Sequence, residues 1–499
     1  MWLSRFESWP GSPECRAAQH CLLGHVTASH STLGAVVLAA GLGTRMRSRR
    51  HKVLHPLAGR PLILRVLDLL TAAGVEHVVV VLGHLADQVR VVLPPDVVVV
   101  EQQPQLGTGH AVQVAADQLR ALGIERLLVH YGDEALVRID SLRRLVDEPV
   151  GAELPIALLT ARLANPTGYG RVLRTGQAVV GMVEEVDATP DQRAVNEIWS
   201  GSMLLWTPWL WEHLAELPRR PNGEYYLPDL VNLALADRRS VSGVTTTDED
   251  EVRGINDRAQ LAEANAIVWR RTIAELQRQG VTVLDPASTF VEPEVRIAAD
   301  VVVHPGCHLI GRTRIEADCE IGPNTMLVDT EVGAGSRVRW SVLEGARVGR
   351  DVEIGPFSHL RPGAIVGDRV ELGNYAEVKA SRIGADTKMH HFSYVGDADV
   401  GARVNIAAGS ITCNYDAETE AKQRTVIEDD AALGSDTLLV APVTIGERAL
   451  TAAGAVVTHD VPADELWRGV PARFARRRRE DAVAEPAATS SSTPHDDDR

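Results

Sequence analysis

The chain has 499 residues, a formal net charge of −16, 45% hydrophobic residues and five cysteines. That length accommodates two or three domains with sizeable cores, and the acidic balance disfavours non-specific binding to nucleic acid or an anionic membrane, so any anion site has to be local. Cys15, Cys21, Cys307, Cys319 and Cys413 are scattered without C-x-x-C spacing, which argues against zinc and against a disulfide framework and for a reducing, cytoplasmic setting.

Residues 1–33 hold no long apolar run and do not read as a secretory signal; a disordered extension, or a start codon set too far upstream, is expected there. No stretch has the length and apolarity to span a membrane. From Gly34 to 257, short aliphatic runs such as "AVVLAA", "HVVVVLG" and "RLLVHYG" alternate with helix-like stretches such as "PLILRVLDLLTAAG". That alternation predicts an α/β unit with a largely parallel sheet. Residues 258–280 contain no Gly or Pro before Gly280 and space Leu261, Ile267, Ile273 and Leu276 at roughly helical intervals, which predicts a connecting helix.

Over 281–474 the period changes to six: Ile297, Val303, Leu309, Ile315, Ile321 and Leu327 form one series, and Ile354, Leu360, Val366, Leu372 and Val378 another. Such hexads predict a parallel β-helix with its aliphatic residues inward. The repeat drops one residue between Val378 and Ile383, and "NYDAETEAKQRT" interrupts it. Such an insertion is expected to loop out on a binding face. The tail, 475–499, is expected to be disordered.

Two stretches carry chemistry. "AVVLAAGLGTRMRSRRHKVL" runs from a strand pattern into Gly41, Gly43 and Arg45, with Lys52 close behind. A glycine loop after a strand offers backbone N–H groups to phosphate, although taken alone it is as readily a structural turn. In the β-helix, "KMHHFSYVGDADVGARVNIAAGSITCNYD" packs histidines, tyrosines, asparagines and a lysine into one part of the repeat. Arg361 and Lys379 lie three hexads apart and should stack on adjacent coils. At a strand spacing of about 4.8 Å they repel by about 3 kcal/mol at an effective dielectric of about 20. A bound anion relieves that repulsion; so does splaying into solvent.

With "EQQPQLGTGHA", "HYGDEAL", "NPTGYGR" and "GINDR", these motifs resemble the sugar-nucleotide pyrophosphorylases. More closely, residues 34 to about 470 resemble the bacterial bifunctional enzymes that are both N-acetylglucosamine-1-phosphate uridylyltransferase and glucosamine-1-phosphate N-acetyltransferase. The resemblance implies a Rossmann-like nucleotidyltransferase domain, a long connecting helix and a left-handed parallel β-helix. It implies that Leu38, Ala39, Ala40, Gly41, Lys52, Gln102, Gly107, Thr108, Tyr131 and Gly132 hold the uridine nucleotide. Arg45 and Lys52 would meet its phosphates, Asp133 and Asn256 would hold Mg²⁺, and Gly170, Glu184 and the position of Trp199 would face the sugar. In the second half it implies a phosphate site for glucosamine 1-phosphate at Arg361 and Lys379, with Tyr394, Asn405 and Lys422 as further contacts. His391 would be the general base, Glu377 the acid that orients it, and Ala408, Asn414, Tyr415, Ser435 and Ala453 the acetyl-CoA site. UTP, acetyl-CoA, glucosamine 1-phosphate and N-acetylglucosamine 1-phosphate are the implied ligands, in a homotrimer with acetyl-transfer sites between adjacent β-helices.

The pattern departs in places. "EIWSG" puts Trp199 where the family has Asn, and an indole cannot accept a hydrogen bond. "GDEAL" loses the proline that follows Asp133, His51 replaces the proline before Lys52, and "WRGVPAR" offers Arg468 or Arg473 where an acetyl-CoA arginine is expected, with Gly469 at the aligned position. Trp199 either fills the sugar pocket or turns away and packs. Two other readings stay open: a nucleotidyltransferase whose β-helix is only structural, and an acetyltransferase whose first site has altered.

Overall fold

A computed structural model describes residues 31–477. The disorder expected for 1–33 and 475–499 falls mostly outside the described residues, as do Cys15 and Cys21. At the described ends Leu33 opens a strand, and Ala475 lies in strand Arg473–Arg477.

The first unit is built on a sheet. Its strands are β1 (Leu33–Ala39), β2 (His77–Leu82), β3 (Val98–Glu101), β4 (Arg126–Tyr131), β5 (Ile156–Arg162), β6 (Glu197–Trp206) and β7 (Val241–Thr246). They run in the order β7-β5-β6-β4-β1-β2-β3, and a hairpin, Arg171–Thr175 and Ala178–Val183, hangs from β6. Among these seven strands all pairs are parallel except those of β6, which lies antiparallel to both neighbours. Helices α1 (Leu62–Ala72) and α2 (Gly107–Ala121) bury apolar stripes against the two faces. Strands covered on both sides read as the unbroken aliphatic runs seen in the sequence.

The second unit is a three-sided prism. Each strand pairs with the third one after it, so the hexads become three parallel sheets. One aliphatic column runs Leu309, Leu327, Leu343, Leu360, Val378, Val395, and the fully buried core is made of such columns. The two bends that matter most carry different side chains. At one, Trp340, Phe357 and Tyr375 take positive φ and follow one another with ring centroids 6.0 and 5.4 Å apart, the first pair tilted and the second stacked, all exposed. At another, arginines and aspartates alternate and close doubly bonded pairs, Arg369 with Asp386 and Arg403 with Asp430.

Between the units lies α3 (Arg258–Arg278), capped by Asp257, whose carboxylate accepts from the Gln260 N–H. Its first half packs Leu261, Ala264 and Ile267 with Met46, Leu57 and Leu136 of the first unit. Its second half places Ile273 and Leu276 in the β-helix core. Arg65 on α1 also reaches Glu294 in the first coil, at 3.0 Å.

Candidate active sites

The first site is a cleft of about 560 Å³ at the carboxyl ends of β1 and β4, where open α/β sheets bind ligands. Leu38 to Gly41, Arg45, Lys52, Gln102, Gly107, Thr108, Tyr131, Asp133 and Asn256 all line it. Gly132 sits beneath: its N–H donates to the Leu38 carbonyl at 3.0 Å. Gly43 has φ +59, and a Cβ there would lie 2.9 Å from the Lys52 Cβ, so glycine lets the lysine pass under the loop. The Lys52 ammonium forms an ion pair with Asp133 and reaches the Asn256 Oδ1 at 3.3 Å.

Those two oxygens therefore converge on a single cation. The same pair suits a hard divalent ion that keeps several of its waters. Among the described residues no cluster of three or more His, Cys, Asp or Glu side chains offers a fuller cage. Among the polar lining residues, sequence reasoning missed Gln105 and Glu224. Gln105, whose amide donates to the Ala40 carbonyl at 2.8 Å, lies within the quoted "EQQPQLGTGHA" and was the most findable.

Gly170 and Glu184, expected to face the sugar, do not line this cleft but are neighbours: a Cβ on Gly170 would lie 3.4 Å from the Glu184 carboxylate. Burial raises the pKa of Glu184 above the usual carboxylate range. Trp199 does not line the cleft. It is 9% exposed within the core, edge-on to Tyr131 at 6.0 Å, and its Nε1–H donates to the Ser202 carbonyl at 2.9 Å across the bulge in β6. The indole is thus satisfied inside its own strand, and the sugar-facing placement expected from alignment is not what the structure has. Trp199→Asn should therefore lower stability by roughly 3 kcal/mol or more, the scale of a lost core aromatic, without raising kcat/KM for uridylyl transfer. Denaturant midpoints and pyrophosphate release check this; unchanged stability with faster turnover would reverse it.

The other departures have local explanations. Without a proline after Asp133, the turn is held by His130: its Nε2–H donates to the Glu134 carbonyl at 3.1 Å and its Nδ1 accepts from the Ser202 hydroxyl at 2.8 Å, a tautomer assigned from these partners. At 51, histidine does what proline could not, since its backbone N–H donates to Gln88 Oε1 at 3.0 Å.

Burial lowers the pKa of His130 to about 4, against an ordinary value of about 6.5. Above the ordinary value both folded and unfolded chains are neutral and the stabilisation is complete. As pH falls from there towards about 4 only the unfolded chain takes up a proton, so stability is lost, by up to about 3 kcal/mol. His51 and His55, also lowered to about 4 by burial, act in the same direction. Melting temperatures should fall across that window, and His130→Gln should flatten the slope; an unaltered slope would exclude His130 as a cause.

The second site lies on the β-helix. The Arg361 N–H donates to the Val378 carbonyl, so Arg361 and Lys379 do fall on adjacent coils. Each has a carboxylate, however: Arg361 bonds Glu377 at 3.0 Å and Lys379 bonds Asp397 at 3.4 Å. Glu377 is therefore paired with Arg361, not with His391 as the resemblance implied. The inserted segment 414–424 folds back through a bridge between Tyr415 and Lys422 and brings the Lys422 ammonium to Lys379. That neighbour lowers the pKa of Lys422. Three cations, Arg361, Lys379 and Lys422, converge.

Asp397 is the residue the sequence reading missed. It bonds Lys379 and also accepts from the Asn414 amide, and it sits one coil beyond Lys379, where adding eighteen residues would have found it. Asn414 in turn approaches the Tyr394 hydroxyl at 3.5 Å. Asn405 lies on another face, paired with Lys388.

His391 is exposed at the bend between these faces. Above it on successive coils stand Ala408, Ser435 and Ala453, as the bonds Gly409 N–H to Phe392 O, Asp436 N–H to Ala408 O and Gly454 N–H to Ser435 O require. Beside that column the hairpin turn at Gly469 accepts from the Val456 N–H, with Arg468 and Arg473 opposite each other across it. The neighbouring His390 is bonded to Glu371 at 2.7 Å.

The MobA-like NTP transferase domain family matches residues 35–227, and the bacterial transferase hexapeptide family, six repeats, matches 345–380. A bifunctional protein GlmU from Exiguobacterium sibiricum is 43% identical over 87% of this chain and 96% of its own length. Its counterpart in Halalkalibacterium halodurans is 42% identical over 87% and 95%. That of Kineococcus radiotolerans is 44% identical over 86% and 88%. No described helix is long and apolar enough to cross a membrane.

Proposed function

The chain belongs to the GlmU family, and on that premise we propose how its two halves divide the synthesis of UDP-N-acetylglucosamine. It is a bifunctional transferase, an acetyltransferase and a uridylyltransferase. The β-helix, 281–474, acetylates glucosamine 1-phosphate. Its phosphate sits among Arg361, Lys379 and Lys422, and Tyr394 and Asn414 orient the sugar, with Asn405, on another face, reaching it from a neighbouring copy in the homotrimer. The amine attacks the thioester carbonyl of acetyl-CoA, lying along Ala408, Tyr415, Ser435 and Ala453, His391 takes the proton, and the thiol of coenzyme A leaves. Glu377 and Asp397 hold the cations in place.

The first unit, 34–257, joins the product to UTP. A phosphate oxygen of N-acetylglucosamine 1-phosphate attacks the α-phosphorus and pyrophosphate departs, so the protein's task is positioning and neutralising charge. Arg45, Lys52 and the loop N–H groups bind the phosphates, Gln102 and Thr108 the nucleoside, Gly170 and Glu184 the sugar. Mg²⁺, which when bound neutralises phosphate charge, would be held by Asp133 and Asn256, with Lys52 displaced towards the substrate. The enzyme is proposed to act in the cytoplasm as a homotrimer. The exposed stack of Trp340, Phe357 and Tyr375 supports a second copy as its cover, since bulky residues at positive φ are costly and an uncovered aromatic ladder is uncommon.

The observation that carries the reading is the convergence of the three cations Arg361, Lys379 and Lys422 on the β-helix. A purely structural β-helix has no use for it. Purified protein given glucosamine 1-phosphate, acetyl-CoA, UTP and Mg²⁺, with thiol and pyrophosphate followed separately, should release both. Pyrophosphate without thiol, when N-acetylglucosamine 1-phosphate is supplied, would leave the β-helix structural.

A further inference from the structure

Residues 45–50 read Arg-Met-Arg-Ser-Arg-Arg, four arginines in six positions of a chain whose net charge is −16. Arg45 faces the cleft already described. Met46 is buried in the core, and on the other side of the loop Ser48, Arg49, Arg50, His55, Gln88 and Arg258 line a separate recess of about 690 Å³.

The recess is a built feature. Gln88 pins the backbone from both directions, its amide donating to the Arg49 carbonyl at 3.1 Å and its Oε1 accepting from the His51 N–H at 3.0 Å. The arginine side chains therefore project from a fixed main chain. Arg258 is the first residue of α3, where a cation opposes the helix dipole. It is held there by bonds to the Met46 carbonyl and to the His55 Nδ1, both at 3.3 Å.

Because the guanidinium donates to Nδ1, the proton of His55 is on Nε2, and that nitrogen is buried with no hydrogen-bond partner. The imidazole is 3% exposed. Both Arg50 and Arg258 lie close enough to His55 to push its pKa down further than burial alone. Many arginines elsewhere in the described residues are answered by carboxylates, as Arg369, Arg403 and Arg174 are. Among the described residues, no carboxylate pairs with Arg49, Arg50 or Arg258. Like charges gathered without counter-charge favour a multiply charged anion.

We propose that this recess is a second anion site, which takes an oligophosphate group and is distinct from the substrate cleft. A guanidinium fork matches phosphate oxygens two at a time, and two exposed arginines with a third held in place offer forks for a chain of two or three phosphates. The group could be carried by inorganic oligophosphate or by a nucleoside triphosphate.

Titration calorimetry of the full chain with inorganic tripolyphosphate, and separately with ATP, tests this without relying on the sugar specificity of the enzyme. Arg49→Gln/Arg50→Gln should weaken tripolyphosphate binding by tenfold or more, since charge-assisted bonds to the anion are lost. Lys52→Gln, in the cleft, should retain it. Uridylyl transfer by the double variant at saturating substrate should stay near that of the parent protein. Equal affinity for tripolyphosphate and ATP assigns recognition to the phosphates; tighter ATP assigns the nucleotide as the ligand. Loss of tripolyphosphate binding in Lys52→Gln together with retention in the double variant would place the anion in the cleft and overturn the proposal. Failure of uridylyl transfer in the parent protein would instead bear on the proposed function alone.

Discussion

His391→Ala will slow thiol release from acetyl-CoA by about 10² to 10⁴-fold, the range for loss of a general base, while pyrophosphate release from UTP and N-acetylglucosamine 1-phosphate stays as it was. The amine must shed a proton as the new C–N bond forms, and His391 stands at the foot of the bend along which Ala408, Ser435 and Ala453 rise. His390 is the control. Its ring is already committed to Glu371 at 2.7 Å, so His390→Ala should leave acetylation nearly intact. Since Glu377 bonds Arg361 in this structure, Glu377→Gln should act mainly through the KM for glucosamine 1-phosphate. Wild-type acetylation by His391→Ala would remove the histidine from the mechanism.

Asp133→Asn will reduce uridylyl transfer by about 10² to 10³-fold, the scale of removing one preorganised charge-stabilising group, and leave acetyl transfer unchanged. Asp133 and Lys52 are only 14% and 16% exposed at their side chains, so their interaction is poorly screened. An amide keeps the shape of the carboxylate and discards its charge. Lys52 then has only the Asn256 oxygen, and Mg²⁺ loses its one anionic protein ligand of the proposed pair. The rate should rise with Mg²⁺ concentration far above the level that saturates the parent enzyme. A variant that saturates at the parent's Mg²⁺ concentration with the parent's rate would show that Asp133 is only the turn residue closing β4.

Much of this was legible because it depends on period alone. Hexads fix which residues share a column, so Leu360 opposite Val378 could be counted, and with it the adjacency of Arg361 and Lys379. The glycine loop was legible because glycines directly after a strand mark a turn that other residues would resist, and Gly43 does take positive φ. What failed was side-chain direction. Trp199 follows the alternation of β6 only up to the bulge before Met203, and an irregularity in register is invisible to a period-two pattern. Glu377 and Asp397 were free to choose among several cations, and distance decides that choice. Glu134 went unread altogether: its carboxyl lies against Gly201, where a Cβ would lie 1.9 Å from Oε1, its Oε2 is buried, and burial first, then Asp133, drives its pKa well up.

The helix α3 has a consequence for where the molecule can be cut. Leu261, Ala264 and Ile267 are owned by the first unit, Ile273 and Leu276 by the β-helix, so no peptide bond near it separates the two without stranding half of an apolar stripe in water. A fragment beginning after Gly280 has its first coil open, and an uncovered solenoid end is a surface for stacking on other chains. A fragment ending at Asp257 lacks the side chains that cover Met46 and Leu57 beneath the glycine loop. The seam between two catalytic halves is thus a shared structural member, which belongs in any excised β-helix and is equally missed by any excised first half.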